Sequence, residues 1–223
     1  YQLVSMALNT LGIQIEPTAV DFMPTDLPMP ATAPRPNAPR LSTPRIAPIP
    51  VANLTPDKRA LVAAQIRPDG SLFNLYGTMA NHPKLYTPRV RFGSYLQRDS
   101  LLDPQTRELA IMRTAWNINA PYEWGHHVEA AKAAGLTDAE IARIARGPSA
   151  AGWTERQRVV LQAADELRRE AFISDATWDT LARHYDMKER IEIVYTVGGY
   201  TMTGLAINSF GIQLEPGYPE MPR

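Results

Sequence analysis

The sequence predicts an all-α fold, and three observations support this prediction. Prolines stand where the first turn of a helix accepts them, at Pro56, Pro104 and Pro121, because a residue there needs no hydrogen-bonded N–H. The tetrads TDAE (137–140) and TERQ (154–157) are capping boxes, which start helices. The strict alternation of apolar and polar residues that is typical of half-buried strands is nearly absent. We therefore expect helices joined by short loops.

Taken in order, the start and stop signals delimit nine helices. Gly135 and Gly147 each follow the last apolar residue of a helical pattern, a position that favours glycine because the chain often turns there through a left-handed conformation. The predicted helices span residues 56–66, 71–81, 83–97, 104–117, 121–134, 138–146, 155–170, 175–184 and 187–211.

The bulk composition excludes several classes of function. The 223 residues are 44% hydrophobic, which suits one globular domain with a sizeable core. Lys plus Arg and Asp plus Glu each total 23, so the net charge is zero and there is no basic stripe for nucleic acid. The sequence has no cysteine for disulfides or thiol catalysis, and no apolar run long enough to span a membrane. We expect a cytoplasmic protein that binds neither nucleic acid nor membrane.

The amino-terminal region contains a repeat and a proline-rich segment. Residues 1–17 (YQLVSMALNTLGIQIEP) return as residues 200–216 (YTMTGLAINSFGIQLEP), with eight identities in seventeen positions. A lone copy of a domain-closing helix indicates that residues 1–17 end a preceding, related domain. Residues 18–50, which include nine of the 20 prolines, would form an extended linker or a strap on a surface. Residues 51–223 then form the main domain.

One predicted helix carries ionisable residues on its apolar face. In NAPYEWGHHVEAAKAAG (119–135), a step of about 100° per residue places His127 among inward-facing alanines, with Glu123 one turn earlier on the same face. On the preceding helix, Glu108 shares a face with Met112 and other apolar residues. A buried Glu–His pair can be purely structural, but burying a carboxylate is costly and such coupled groups are frequent at functional sites. We therefore expect the three ionisable groups to converge.

The run LDPQTRELAIMRTAWNINAPYEWGHHVEAAKAAGLTDAEI (102–141) resembles the core of the carboxymuconolactone decarboxylase family, which includes alkylhydroperoxidase D-like proteins. The similarity extends over most of the main domain and is best with the long, cysteine-free branch. In the peroxidase branch, Glu108 and His127 match the motif's Glu and His, whereas Ala120 and Glu123 stand where its two cysteines would. The resemblance therefore implies the all-α fold of the family without thiol peroxidase chemistry. The Glu-x-x-x-His pair of the decarboxylase branch is reproduced by Glu123 and His127.

The resemblance further implies a cofactor-free lyase, with an isomerase or hydrolase as variants, that acts on a small carboxylate or lactone. Loss of carbon dioxide or a proton shift leaves a dienolate, and an imidazole can protonate its carbon. In this hypothesis His127 is the acid–base group and Glu123 sets its tautomer, with the two within hydrogen-bond reach. Glu108 relays protons or contacts the substrate. Tyr122 and Trp116 would shape the substrate pocket.

Two further residues have alternative interpretations at this point. Arg113 either holds a substrate carboxylate or is a solvated helix arginine. His126 is either a second group for substrate binding and acid–base chemistry or a subunit contact. We expect no metal or other cofactor, because adjacent histidines diverge by about 100° on a helix and the His-x-x-x-His spacing is missing. The resemblance implies a homo-oligomer, and the alternative function is a non-catalytic ligand-binding or assembly domain on the same scaffold.

Overall fold

A computed structural model of the chain describes Leu11 and residues 40–222. Within this part the fold is all-α, as predicted, with no strand. A π-helical turn spans Tyr95–Asp99, and short 3-10 turns span Val51–Asn53 and Ala63–Gln65. The α-helices of the described part are α1 Pro56–Val62, α2 Asn74–Met79, α3 Pro83–Ser94, α4 Pro104–Asn117, α5 Pro121–Ala133, α6 Asp138–Arg146, α7 Glu155–Glu170, α8 Asp175–His184 and α9 Met187–Phe210.

The capping residues start these helices where the sequence predicts them. Asp103 accepts a hydrogen bond from the backbone N–H of Thr106 at 3.0 Å and so caps α4. Thr137 and Thr154 form complete capping boxes at the starts of α6 and α7. Asp186 forms a third box at the start of α9. Helix boundaries from α4 onward therefore agree with the sequence to within one residue.

The predicted helices before α4 are shorter in the structure. The first ends as α-helix at Val62 and continues as a 3-10 turn. The second begins at Asn74 rather than residue 71, because Asp69 accepts hydrogen bonds from the backbone N–H and the hydroxyl of Ser71 and holds that segment in a turn. The third leaves α-helical geometry after Ser94 for the π turn.

Helix α4 is the centre of the core. Ten of its 14 residues are buried, and it packs against α5, α7 and α9. The main apolar cluster joins these helices through residues such as Met112, Val160 and Ile193. Trp124 of α5 is 2% exposed and belongs to the same cluster, as expected for a core aromatic. Because α4 is enclosed on several sides, any ionisable group on it must find a partner inside the protein.

The described end of the proline-rich segment lies along the helical domain. The backbone N–H of Arg45 donates to the carbonyl of Phe210 at 2.8 Å, and that of Ile49 to Gly77 at 3.1 Å. The side chain of Arg40 donates to the carbonyl of Asn119 at 2.8 Å. The tandem-repeat hypothesis depends on residues 1–17, which apart from Leu11 lie outside the described residues.

Candidate active site

A cavity of about 370 Å³ lies between α3, the π turn, α5 and α9. Its walls combine aromatic side chains such as Phe73, Phe92 and Tyr76 with charged and titratable groups. This mixture suits a small, partly apolar molecule that also carries polar groups. The ionisable residues on its walls are Tyr76, Arg89, Arg98, Tyr122, Glu123, His126, His127 and Tyr200.

His127 of α5 borders the cavity and pairs with Glu108 of α4. The distance from its Nδ1 to Glu108 Oε2 is 2.7 Å, and the Glu108 side chain is fully buried. Arg107 Nε lies 3.4 Å from the other carboxylate oxygen of Glu108. Because a carboxylate only accepts, it holds a proton on Nδ1 of His127 and leaves Nε2 for other partners. The two residues form a hydrogen-bonded dyad across two helices.

The predicted hydrogen bond between Glu123 and His127 is wrong. Both carboxyl oxygens of Glu123 are buried without a hydrogen-bond partner among the described residues, although the residue lies on the cavity wall. The helical wheel correctly places both residues on one face, but the imidazole turns toward Glu108 of the neighbouring helix. The role of orienting His127 therefore passes from Glu123 to Glu108.

Glu123 is 3% exposed and lies against the bare backbone of α9. A Cβ on Gly204 would come within 2.6 Å of Glu123 Oε2, so only glycine leaves room for this carboxyl group. Burial raises the pKa of Glu123 well above its ordinary value, and the charge of Arg89 opposes this effect only in part. This shift favours the neutral carboxylic acid of Glu123, which has an O–H to donate.

Tyr200 of α9 closes the cavity on the other side of His127. Its ring meets the imidazole edge-on, with 5.1 Å between ring centroids. Its hydroxyl is hydrogen-bonded to the Gln97 side chain of the π turn. Burial raises the pKa of Tyr200, so the phenol keeps its proton. Sequence reasoning missed Tyr200 as a site residue, although its place at the head of the repeated segment was a usable signal.

Arg89 of α3 is a second residue that sequence reasoning missed. It lies on the cavity wall, with Nη2 3.4 Å from the hydroxyl of Thr203. Within residues 40–222 it forms no ion pair with a carboxylate. Arg89 is thus a partly exposed cation that faces the cavity with only a neutral partner. The sequence offered little to identify Arg89 as a site residue, because nothing in the neighbouring residues distinguishes it from Arg91.

Tyr122 and His126 line the cavity, but their polar atoms hold the segment after α9. The Tyr122 hydroxyl donates to Glu215 Oε1 at 3.2 Å, and His126 Nε2 lies 2.6 Å from Glu215 Oε2. The imidazole also lies between the rings of Tyr122 and Tyr218, at 4.4 and 4.3 Å. Burial raises the pKa of Glu215, but the hydrogen bonds from His126 and from the backbone of Asn74 outweigh it and lower the pKa overall.

Arg113 and Trp116 do not line the cavity, so their assignment to substrate binding is wrong. Arg113 is 8% exposed, and its Nε and Nη2 donate to the two oxygens of Asp165 on α7 at 2.6 and 2.8 Å. Its Nη1 donates to the carbonyl of Ile144 near the end of α6. The alternative of a solvated arginine is wrong too. Trp116 packs on Trp124 in the core, with 5.9 Å between centroids.

No three acidic or histidine side chains in the described part of the chain come close enough together to share a metal ion. The same residues contain no helix with the length and apolar character needed to cross a bilayer.

Part of the sequence matches a known protein family. Residues 83–166 match the model of the carboxymuconolactone decarboxylase family. The match covers the central part of the helical domain. The matched part of the helical domain includes Arg89, Glu108, Glu123 and His127, whereas Tyr200 lies outside it. No functionally curated protein sequence matches the chain.

Solved structures support the family fold. An uncharacterised peroxidase-related protein with an alkylhydroperoxidase D core, from Ralstonia eutropha JMP134, is 18% identical with a TM-score of 0.66, over 77% of this chain and 93% of its own. A second uncharacterised peroxidase-related protein, from Silicibacter sp. TM1040, is 18% identical with a TM-score of 0.64. The match covers 87% of this chain and 97% of that protein. A cysteine-to-alanine variant of the debrominase Bmp8, in complex with 2,3,4-tribromopyrrole, is 16% identical with a TM-score of 0.63. The match covers 80% of this chain and 95% of the debrominase. At these identities the likeness extends to the fold alone.

Proposed function

We propose that the protein is a cofactor-free lyase of the carboxymuconolactone decarboxylase type, which acts on a small carboxylate or lactone by decarboxylation or proton transfer. The observation that carries the proposal is the dyad of His127 and Glu108. A fully buried carboxylate lies 2.7 Å from Nδ1 of an imidazole that itself lines a 370 Å³ cavity. Burying a carboxylate is costly, and here the buried carboxylate orients a histidine that borders the cavity.

The dyad suits proton transfer to and from carbon. In a decarboxylation, the bond between carbon and the carboxylate breaks, carbon dioxide leaves, and the electron pair moves into the conjugated carbonyl as an enolate. His127 Nε2 then delivers a proton to the carbon, and water later restores that proton. In a proton shift, the same nitrogen first removes a proton from one carbon and returns it to another. Glu108 keeps the ring oriented and faces the positive charge of the imidazolium.

Thiol chemistry is not part of this proposal. The chain has no cysteine, and Ala120 and Glu123 stand where the peroxidase branch of the family has its two cysteines. A ligand of modest size is supported by the debrominase of the same fold, whose structure holds 2,3,4-tribromopyrrole.

A homo-oligomer is also part of the proposal. Tyr195, Met202 and Leu205 are 43%, 39% and 48% exposed and lie on one face of α9, at spacings of seven and three residues. Gly198 adds open space to that face. An exposed apolar stripe on the longest helix suits burial against a second copy of the chain.

The function is tested by incubating the protein in D₂O with a panel of small unsaturated lactone carboxylates and keto acids. Proton NMR detects both loss of carbon dioxide and deuterium entering a carbon position. We expect turnover of at least one compound and its loss in His127→Ala, while His184→Ala, whose imidazole pairs with Glu155 away from the cavity, stays active. Turnover unchanged in His127→Ala would contradict the proposal. No reaction by the unmodified protein would favour the non-catalytic alternative.

A further inference from the structure

Arg89 and Glu123 are among the ionisable groups on the cavity wall that the dyad does not use. Arg89 is a cation with a neutral hydroxyl as its hydrogen-bond partner, and Glu123 is a buried acid with none among the described residues. They come from α3 and α5 and are close enough for the charge of Arg89 to act on Glu123. Both groups border the space that His127 also borders.

We infer that Arg89 and Glu123 form a recognition pair for a ligand that carries a carboxylate at one end and a carbonyl oxygen at the other, as a lactone carboxylate does. Arg89 binds the carboxylate, and the neutral acid of Glu123 donates a hydrogen bond to the carbonyl. The inference rests on the proposed function for the assignment of the cavity as the substrate site, and it adds the residues that select the substrate.

The assignment of Arg89 follows from charge. A guanidinium offers a fork of N–H donors that matches the two oxygens of a carboxylate, and Thr203 supplies only a neutral acceptor at 3.4 Å. A cation held on a carboxylate about to leave as carbon dioxide would stabilise the ground state and slow the reaction. Arg89 therefore holds a carboxylate that the product retains. A substrate for decarboxylation then needs a second carboxylate, whereas a substrate for proton transfer needs only one.

The assignment of Glu123 follows from its unmet hydrogen bonds. A buried polar group with no partner costs stability, and such groups persist where a ligand completes them. The neutral acid has one O–H donor, and a carbonyl oxygen is its complement. When the bound carbonyl becomes an enolate, the oxygen gains negative charge and the same hydrogen bond strengthens. Gly204 keeps this position open, since a side chain there would collide with the carboxyl group.

The test is a binding measurement that needs no turnover. Isothermal titration at pH 7 compares three probes on the unmodified protein: 5-oxotetrahydrofuran-2-carboxylate, which has both groups; tetrahydrofuran-2-carboxylate, which lacks the carbonyl; and γ-butyrolactone, which lacks the carboxylate. We expect the first probe to bind about 10- to 100-fold more tightly than the third, the range for a hydrogen bond to a charged group. We expect the second probe to bind about 3- to 10-fold more weakly than the first, the range for a neutral hydrogen bond.

Variants assign each preference to its residue. Arg89→Gln should bind the first and third probes equally, whereas Arg91→Gln, on the same helix but off the cavity wall, should keep the preference. Glu123→Gln should keep the preference for the carbonyl, because an amide still donates. Glu123→Leu should lose it.

Several results would overturn the inference. Equal or undetectable binding of the three probes by the unmodified protein would do so without any variant. So would a carboxylate preference that survives Arg89→Gln, or a carbonyl preference that survives Glu123→Leu. Circular dichroism of each variant separates lost binding from lost folding. If the probe preferences appear but no compound turns over, the recognition pair stands while the proposed acid–base function fails.

Discussion

Nδ1 of His127 lies 2.7 Å from Oε2 of Glu108, a residue 19 positions earlier on the neighbouring helix. Glu123, one turn from His127 on its own helix, makes no hydrogen bond to it. The two glutamates therefore have different surroundings: Glu123 borders the cavity, whereas Glu108 is buried behind His127. Glu108 is the partner of the imidazole, whereas Glu123 is a separate buried group, and burial raises its pKa.

The first prediction separates these roles by activity. Glu108→Gln should lower kcat by about 10²- to 10⁴-fold, the usual range for positioned acid–base catalysis, because the amide cannot balance the imidazolium charge. Glu123→Gln should cost less, because the amide can still donate a hydrogen bond. Steady-state kinetics on an accepted substrate measures both, with Glu129→Gln, an exposed residue of the same helix, as control. A larger loss in Glu123→Gln than in Glu108→Gln would restore the pairing predicted from the sequence.

The second prediction concerns pH and the stability of the fold. The pKa of Glu123 is raised by burial, so the folded chain holds this proton to higher pH than the unfolded chain does. Stability should therefore fall as pH rises from the ordinary glutamate pKa toward the raised one, by about 1.4 kcal/mol for each tenfold difference in proton affinity. Glu123→Gln removes this dependence.

Urea unfolding of both proteins between pH 4 and pH 8 provides the measurement. The unfolding free energy of Glu123→Gln relative to the unmodified protein should increase with pH across this window. A constant difference at all pH values would show that Glu123 is ionised in the folded protein.

The third prediction concerns Arg113, which the structure places in the core. Removing one partner of its buried ion pair with Asp165 leaves the other charge uncompensated, so Arg113→Ala should lower the unfolding free energy by about 3–5 kcal/mol. Arg91→Ala, on an exposed position, is the control and should change it by less than about 0.5 kcal/mol. Chemical denaturation measures both. An unchanged stability combined with a raised KM for carboxylates would instead favour a role in substrate binding.

The fourth prediction concerns the segment after α9, which Glu215 ties to His126, Tyr122 and the start of α2. The pKa of Glu215 is lowered in the folded protein, so its stabilisation is complete above the ordinary glutamate pKa and is lost as pH falls through the lowered one. Glu215→Gln should cost about 1–3 kcal/mol at pH 7 and less at pH 3. Thermal unfolding at both pH values checks this, with Glu220→Gln as an exposed control. An equal loss of stability in Glu215→Gln at pH 7 and pH 3 would contradict this prediction.

The fifth prediction concerns assembly. Multi-angle light scattering at micromolar concentration should show an oligomer, and Leu205→Glu should shift it toward monomer because a charge would be buried in the contact. Leu101→Glu is the matched control, since Leu101 is 56% exposed but lies off α9. A monomeric unmodified protein, or equal effects of the two substitutions, would count against the α9 contact.

The sequence by itself determined where the helices from α4 onward begin and end, to within one residue. Capping residues such as Asp103 and Thr154 act within one helical turn, so their effect can be read from neighbouring letters. The predicted start of α2 was wrong, because Asp69 and Ser71 form a local turn that competes with helix formation. The sequence also placed Glu108, Glu123 and His127 on inward faces, because the period of a helix is fixed by backbone geometry.

Only the tertiary structure decided which of these residues meet. The partner of His127 depends on how α4 packs beside α5, and Glu123 lies against Gly204 with no hydrogen-bond partner in the described chain. The tertiary structure also decided which of two arginines, Arg89 or Arg113, borders the cavity. Both are helix arginines in the sequence, but Asp165 faces Arg113 in the core, whereas Arg89 faces a cavity. Contacts between residues far apart in the chain depend on the packing of whole helices, which no local pattern of residues specifies.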